Sequence, residues 1–291
     1  MRVHHPPTGV RVPVGVDTTR ASIARVYDYS LGGKDNYDVD RAAFNAILQA
    51  APQQWAVSRM NRRWLHRVTR YLAGMVGIDQ FLDLGAGLPT VVGNTHEVAQ
   101  EFNQTRTVVY VDNDPVCVAH GQALLERNEF THYVSADLTR PATLLNHPLI
   151  RTWIDFDRPV ALLLCGVLHH VDDELDPAVI MREYIDAIPP GSYVAITHFW
   201  NPNDSSELAE LAWRVEHRFV EMGLGSGWYR VREEIASYFG DLELVAPGLV
   251  ELDQWWPMGP PPRAPYPEER LMLGGVARKT GPAYVPAKSR R

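Results

Sequence analysis

Apolar residues first recur at helical spacing at Ile23, Val26, Tyr27 and Leu31, which predicts a helix in that stretch. Thr18 or Thr19 can cap it, and Gly32-Gly33 ends it, because glycine enters the left-handed cap conformation without steric cost. Residues 1–19 are rich in Pro, Gly and Val, show no helical period and read as a flexible N-terminal arm. A second short helix is expected over Asp38–Ala51, stopped at Pro52. A third is expected over Asn61–Val76, with Trp64, Leu65, Val68, Tyr71, Leu72 and Met75 on one face ahead of Gly77.

From Gln80 the pattern changes to short apolar runs alternating with helical stretches. Phe81–Leu84, Thr107–Val111, His132–Ser135, Val160–Cys165 and Tyr193–Thr197 read as strands, with helices near 90–102, 115–127, 140–147 and 176–188. Such alternation implies a parallel sheet covered by helices on both faces. Glu207–Met222 and Arg232–Phe239 read as helices. Leu242–Leu252, interrupted at Pro247-Gly248, and Leu271–Arg278 read as two closing strands. That ending is unusual for a dinucleotide dehydrogenase.

Composition narrows the class. The 291 residues are 45% hydrophobic and 22% charged, ordinary for a soluble globular protein and enough for one large α/β domain with additions or for two small domains. A formal net charge of −7 argues against a surface that tracks phosphates, so nucleic acid is not an expected partner. Lys288-Ser289-Arg290-Arg291 is basic but reads as part of a solvated, flexible tail over residues 280–291. Cys117 and Cys165 are far apart and form no CxxC pair, which speaks against a disulfide framework and a structural zinc site. The start of the chain lacks the apolar core of a signal peptide, and the longest apolar run, near Val160–Leu168, is too short to cross a bilayer. A cytoplasmic protein is expected. Lysine occurs only at 34, 279 and 288, an arginine bias that favours a bacterial source.

The most informative string is Phe81-Leu82-Asp83-Leu84-Gly85-Ala86-Gly87-Leu88-Pro89-Thr90, an apolar strand running through a glycine turn into a helix. Gly85 and Gly87 let backbone approach a ligand closely, and the helix start beyond offers free N–H groups. Asp112 ends the next strand, where a carboxylate can accept both ribose hydroxyls of an adenosine. A dinucleotide fingerprint would place a third glycine at position 90, where this chain has Thr90. Asp83 would also repel a pyrophosphate, whereas it suits the α-ammonium and sulfonium of S-adenosylmethionine (SAM). Asp137, directly after the third strand, fits an acceptor for the adenine amino group or an N-cap of the next helix.

After the fourth strand comes Cys165-Gly166-Val167-Leu168-His169-His170-Val171-Asp172-Asp173, at the sheet edge where open α/β folds bind ligands. Gly166 and Val167 would pass near the methionine part of SAM. His169 or His170 is the candidate general base for an acceptor hydroxyl or amine, since imidazole titrates near neutrality. Two other roles stay open for this cluster, plain structure or a metal that orients substrate. Adjacent residues on an extended chain point apart, so no metal site is assigned.

Ser22-Ile23-Ala24-Arg25-Val26-Tyr27-Asp28-Tyr29-Ser30-Leu31-Gly32-Gly33-Lys34-Asp35-Asn36-Tyr37 resembles the N-terminal signature of the actinobacterial S-adenosyl methyltransferase family, formerly a domain of unknown function. Phe81–Thr90, Tyr110-Val111-Asp112-Asn113-Asp114-Pro115 and Ala136-Asp137-Leu138 are similar to its cofactor motifs, and Pro189-Pro190-Gly191-Ser192-Tyr193 matches its pattern too. The resemblance runs over roughly residues 20–279. It implies a Rossmann-like class I methyltransferase fold: a seven-stranded, mostly parallel sheet with a C-terminal antiparallel strand pair. It adds a helical lid over residues 20–77 to a SAM-binding domain over residues 78–279. Asn113 and Leu138 join the cofactor set on this ground. The family usually has a single His followed by an aromatic after the fourth strand, so no role carries over to the second histidine here.

A lid would turn Tyr27, Lys34, Asp35, Asn36 and Tyr37 toward the cleft, Tyr27 to the cofactor and Tyr37 to the acceptor. His198 and Trp200, at the end of the fifth strand, are further candidates for acceptor binding, Trp200 by stacking on a planar group. The function expected is SAM-dependent methylation of a small-molecule acceptor on oxygen or nitrogen, such as a secondary metabolite, with S-adenosylhomocysteine (SAH) as product. The alternatives are a catalytically silent module that holds SAM or SAH, and an NAD-dependent oxidoreductase, which Asp83 and Thr90 disfavour. A homodimer is left open.

Overall fold

The structure is a computed structural model that describes residues 16–91, 93–257, 259 and 263–281. Most of the expected arm, residues 1–15, and of the expected tail, residues 282–291, lies outside the described residues.

Eight strands form one sheet: β1 (Gln80–Leu84), β2 (Thr107–Asp112), β3 (Thr131–Ser135), β4 (Ala161–Cys165), β5 (Tyr193–Phe199), β6 (Glu243–Leu244), β7 (Val250–Glu251) and β8 (Met272–Arg278). Their order is β3-β2-β1-β4-β5-β8-β6, and β7 also pairs with β8. The first five are parallel and β8 is antiparallel to β5, with Tyr193 opposite Arg278 and Phe199 opposite Met272. β6 and β7 lie on the same edge of β8, Leu244 opposite Ala277 and Val250 opposite Gly274. They are one edge strand interrupted at Pro247-Gly248, which gives the expected seven strands and the antiparallel ending.

The strands alternate as pleated backbone requires. Phe81, Val108, Tyr110, Ala161, Leu163 and Ala195 enter one core with Trp64, Val68 and Cys117. Their neighbours Leu82, Leu84, Val109, Leu162, Leu164 and Ile196 enter the opposite core with Leu144, Ile180 and Ile235. Both faces are therefore covered, and the central strands read as unbroken apolar runs because neither side meets water.

Three N-terminal helices precede the sheet: α1 (Ile23–Leu31), α2 (Asp38–Ala50) and α3 (Gln54–Arg70), the last continued by a π-helical turn at Tyr71–Val76. α3 starts well before the expected Asn61, because Pro52 ends α2 but leaves room for a new helix two residues on. Gln54, Val57 and Asn61 extend its buried face. A fully buried carboxylate joins the first two helices. Asp40 pairs with Arg25 Nε at 2.8 Å and accepts the backbone N–H groups of Ser22 and Tyr37 at 2.9 and 2.8 Å.

The crossover helices are α4 (Thr95–Gln100), α5 (Pro115–Leu124), α6 (Pro141–Leu145), α7 (Pro148–Trp153) and α8 (Pro177–Ala187). α4 is shorter than the expected 90–102. Asn94 caps it, in a box with Glu97, and its Oδ1 holds Thr90 N, so the preceding residues form a loop. α7 was not anticipated. α9 (Glu207–Glu221) and α10 (Arg232–Ser237) follow β5. Among the described residues, no helix is long and apolar enough to cross a membrane.

Candidate functional site

β1 pairs with β2 on one side and β4 on the other, so the chain direction of the crossovers reverses beside it. Ligands of open α/β sheets bind at such a point, outside the carboxyl ends of the strands. A cavity of about 490 Å³ lies there, reaching from Gly85 and Asp112 to His170 and Phe219. α1, α2 and α3 line one wall through Tyr27, Phe44 and Asn61.

The turn after β1 requires glycine. Gly85 has φ +70°, and a Cβ on it would sit 2.3 Å from Val167 Cγ2. Gly87 has φ +69° but open space around it, so there the constraint is conformation alone. Gly166, φ +84°, brings the turn after β4 to the same place, where an added Cβ would meet Asn61 Nδ2 at 2.8 Å.

Asp83, Asp112 and Asp137 are three of the carboxylates at this end. Asp112 accepts from Gly87 N at 2.8 Å and Asp114 N at 2.9 Å, which pins the ends of β1 and β2 together and orients both oxygens. Burial raises its carboxyl above the ordinary range, against the pull of those two amides. Asp83 is buried and accepts from Thr95 Oγ1 at 2.6 Å. Desolvation lifts it to about 6, opposed by that hydroxyl and by the Arg62 charge. Asp137 is held by its own turn, accepting Thr139 N and Oγ1 at 2.9 and 2.7 Å, and it also lines the cavity. Asn113, Leu138, Gly166, Val167 and Tyr27 line it too, so every expected cofactor residue is brought to one place.

His169 and His170 sit on a short 3-10 turn, Leu168–His170, and line the far end. The His169 ring stacks on Phe199 with centroids 3.8 Å apart, and its buried Nδ1 has no hydrogen-bond partner. His170 Nδ1 lies 2.9 Å from Ser226 Oγ. Burial lowers both imidazoles, His169 well below its usual value and His170 to about 3, so both are neutral at neutral pH. Among the described residues, no group of three or more His, Cys, Asp and Glu side chains is placed to hold a metal ion.

Other expected residues are not brought to the cavity. Tyr37 caps α2, and its ring packs under the Arg25 guanidinium, 5.2 Å from carbon to centroid. Asp35 N and Asn36 Nδ2 donate to Asp28 instead, Asp35 lies 3.4 Å from His120 Nδ1, and none of Lys34, Asp35 and Asn36 lines the cavity. His198 is fully buried beside Arg230, with its Nε2 3.0 Å from the guanidinium, and burial lowers it to about 3. Trp200 donates from Nε1 to Arg270 O at 2.6 Å, away from the cavity. The reason is strand parity. Phe199 and Thr197 point to the cavity side of β5, so His198 and Trp200 must point to the other.

The structure adds residues that motif reading missed. Asn61 is a buried hub: Nδ2 donates to Tyr27 OH at 3.1 Å, and Oδ1 accepts from Thr197 Oγ1 at 2.8 Å, joining α1 and β5 through α3. Its signal was available, as a polar residue on the apolar stripe of Val57, Trp64, Leu65 and Val68. Arg62 donates to Thr90 Oγ1 and Gly93 O at 3.1 and 3.0 Å, bracing the loop after the glycine turn. Ser22 Oγ donates to Asp114 Oδ2 at 2.5 Å, fastening α1 to the end of β2.

The residues at the near end fit SAM. Three acids suit a cationic ligand with a diol and an exocyclic amine, and glycine backbone leaves the approach clear. Comparison with known proteins agrees. A family described as S-adenosyl methyltransferase matches residues 11–280. A crystal structure of a presumptive methyltransferase from Thermobifida fusca YX is 42% identical, covering 94% of this chain and 100% of its own, with a TM-score of 0.87. A DUF574 family protein from Streptomyces avermitilis MA-4680 is 38% identical over 90% of this chain and 99% of its own, with a TM-score of 0.84. No functionally curated protein matches the chain. On its matched residues and its glycine–aspartate cleft, the chain belongs to the S-adenosyl methyltransferase family, a class I SAM-dependent methyltransferase.

Proposed function

We propose that the chain methylates a small, uncharged and largely apolar acceptor at an O–H or N–H group. The observation that carries this reading is the segregation of charge within one cavity. Asp83, Asp112, Asp114, Asp137 and Arg62 all lie at the glycine-turn end. The histidine end is lined by Phe44, Phe199, Phe219, Leu224 and Met272, with Gln54, Ser226 and the two histidines as polar groups. A charged acceptor there would lose its hydration without an opposite charge to replace it.

In this reading Asp112 binds the ribose hydroxyls, Asp137 the adenine amino group and Asp83 the α-ammonium. Gly85, Gly87, Gly166 and Val167 form the floor, and Tyr27 with Asn61 and Ser58 forms the roof. Tyr27 OH donates to Ser58 O at 3.1 Å, which supports α1 as a lid tied to α3. SAM supplies an electrophilic methyl on a sulfonium. The protein's own work is to align the acceptor, exclude water and receive a proton. A neutral His170 can take that proton. The charge this creates replaces the one the sulfonium loses, so the net charge inside the cavity is the same before and after transfer. His169, stacked on Phe199, positions the acceptor ring or its neighbour. A silent SAM-holding module is not favoured for a member of a methyltransferase family.

The test is methyl transfer from isotopically labelled SAM to paired acceptors: neutral phenols and arylamines against their carboxylated or quaternised counterparts. Transfer to members of the neutral set, reduced at least tenfold by His170→Ala, is the expected result. Preference for the charged counterparts would overturn it.

A further inference from the structure

The loop after α9 meets the histidine turn at three backbone carbonyls and one side chain. Gly227 N and Trp228 N donate to His169 O at 3.0 and 2.8 Å. The Arg230 guanidinium donates to Leu168 O at 3.1 Å and Val171 O at 2.6 Å, the carbonyls on either side of the histidine pair. Gly225 and Gly227, at φ +61° and +106°, let the loop turn tightly enough to present Ser226 between them. A Cβ on Gly227 would lie 2.7 Å from the Phe219 ring. The register of Ser226 against His170 is therefore fixed from outside the contact itself.

That contact assigns a proton. Ser226 Oγ lies 3.1 Å from Leu224 O and 2.9 Å from His170 Nδ1. A carbonyl only accepts, and a hydroxyl has one proton to give. The hydroxyl aims its proton at Leu224 O, and its lone pair then accepts from Nδ1–H.

We infer that Ser226 is a positioning residue that holds His170 as the Nδ1–H tautomer, leaving Nε2 as the ring nitrogen that takes the acceptor's proton. The inference rests on the reading of His170 as the base. The balance is simple for an O–H acceptor. The proton passes to Nε2, and the O–H bonding pair remains on oxygen and forms the new O–CH3 bond. The S–CH3 pair remains on sulfur, giving SAH. The resulting imidazolium keeps its Nδ1–H···Ser226 bond and returns its proton from Nε2 to water. Because burial keeps the free imidazole neutral, it carries a single N–H, and fixing that proton on Nδ1 frees Nε2 completely.

The test is the nitrogen NMR spectrum of the full chain with ring-labelled histidine, saturated with SAH, the His170 signals being assigned by their loss in His170→Gln. Wild type is expected to show Nδ1–H, Ser226→Ala to lose that preference, and Ser226→Thr, which keeps the hydroxyl, to retain it. Unchanged SAH affinity in both variants shows that fold and cofactor site are intact. With a transferable acceptor, Ser226→Ala should lower kcat about tenfold with little change in KM, and Ser226→Thr should restore it. Nε2–H in wild type, or a tautomer indifferent to Ser226→Ala, overturns the inference and leaves the base reading standing. Undiminished transfer by His170→Ala overturns the base reading, and the inference with it.

Discussion

The two ends of the cavity are built in opposite ways. The glycine-turn end comes from three consecutive strand ends, β1, β2 and β3, and each contributes its acid and its backbone from a string of a few residues. The histidine end is assembled from α2, α3, the turn after β4, β5, α9, the loop after it and β8, segments separated by up to about three quarters of the chain. One end is charged and the other neutral. A cofactor shared across a family can be read by a local motif, whereas an acceptor is read by whatever side chains the fold delivers from a distance.

That contrast can be broken at several points. The largest effect is expected at Gly85. Gly85→Ala forces a Cβ against Val167 in left-handed backbone, so SAM affinity should fall at least a hundredfold by calorimetry, with Val167→Ala recovering part of the loss. Gly87→Ala, which meets only the conformational cost, should lose about 1–2 kcal/mol. A smaller difference at Gly85 than at Gly87 would show that close approach to Val167 does not shape the site. Asp112→Ala removes both the amide acceptor for Gly87 and the proposed ribose contact, and should weaken SAM by about 2 kcal/mol.

Asn61 belongs to both ends. Asn61→Ala leaves the buried Thr197 hydroxyl without its acceptor, removes one of the two hydrogen bonds at Tyr27 OH, and should lower unfolding stability by about 1–2 kcal/mol in urea titration. Next comes pH. With the Asp83 carboxyl raised to about 6 in the free protein, it is protonated below that value and must lose its proton to meet an ammonium group. SAM affinity should therefore weaken as pH falls through 6, by at most about tenfold per unit for one proton, and Asp83→Asn should flatten the profile. A second pH effect acts on stability rather than on affinity. His170 and His198 stay neutral in the fold down to about 3, while the unfolded chain takes up their protons from about 6.5. The stability from these groups is present above pH 6.5 and is lost as pH falls below it. The melting temperature should drop over that window, less steeply in His198→Gln.

The same division explains what could be read from sequence. The alternation of strands and helices and the strings that carry Asp83, Gly85, Gly87, Asp112 and Asp137 to one cavity are legible because each is encoded locally, and the closing antiparallel pair follows from the family resemblance. At β5 the sequence marks the right strand end, but one-residue parity turns His198 and Trp200 away and places Thr197 and Phe199 on the cavity side. Tyr37 lies in a polar loop that suggests an open site, yet that loop satisfies its own polar groups through Asp28 and Asp40. Ser226 and Phe219 left no local mark, since only the packing of α9 and the following loop brings them to His170.

A crystal structure of the full chain with SAH bears on the shared cavity more directly than any variant. The ribose should meet Asp112, the adenine should lie beside Asp137, and the sulfur should face the His170–Phe199 end across Gly166. An adenosyl group bound elsewhere, or turned so that its sulfur faces away from those residues, would separate the two ends and remove the basis for placing the acceptor between them.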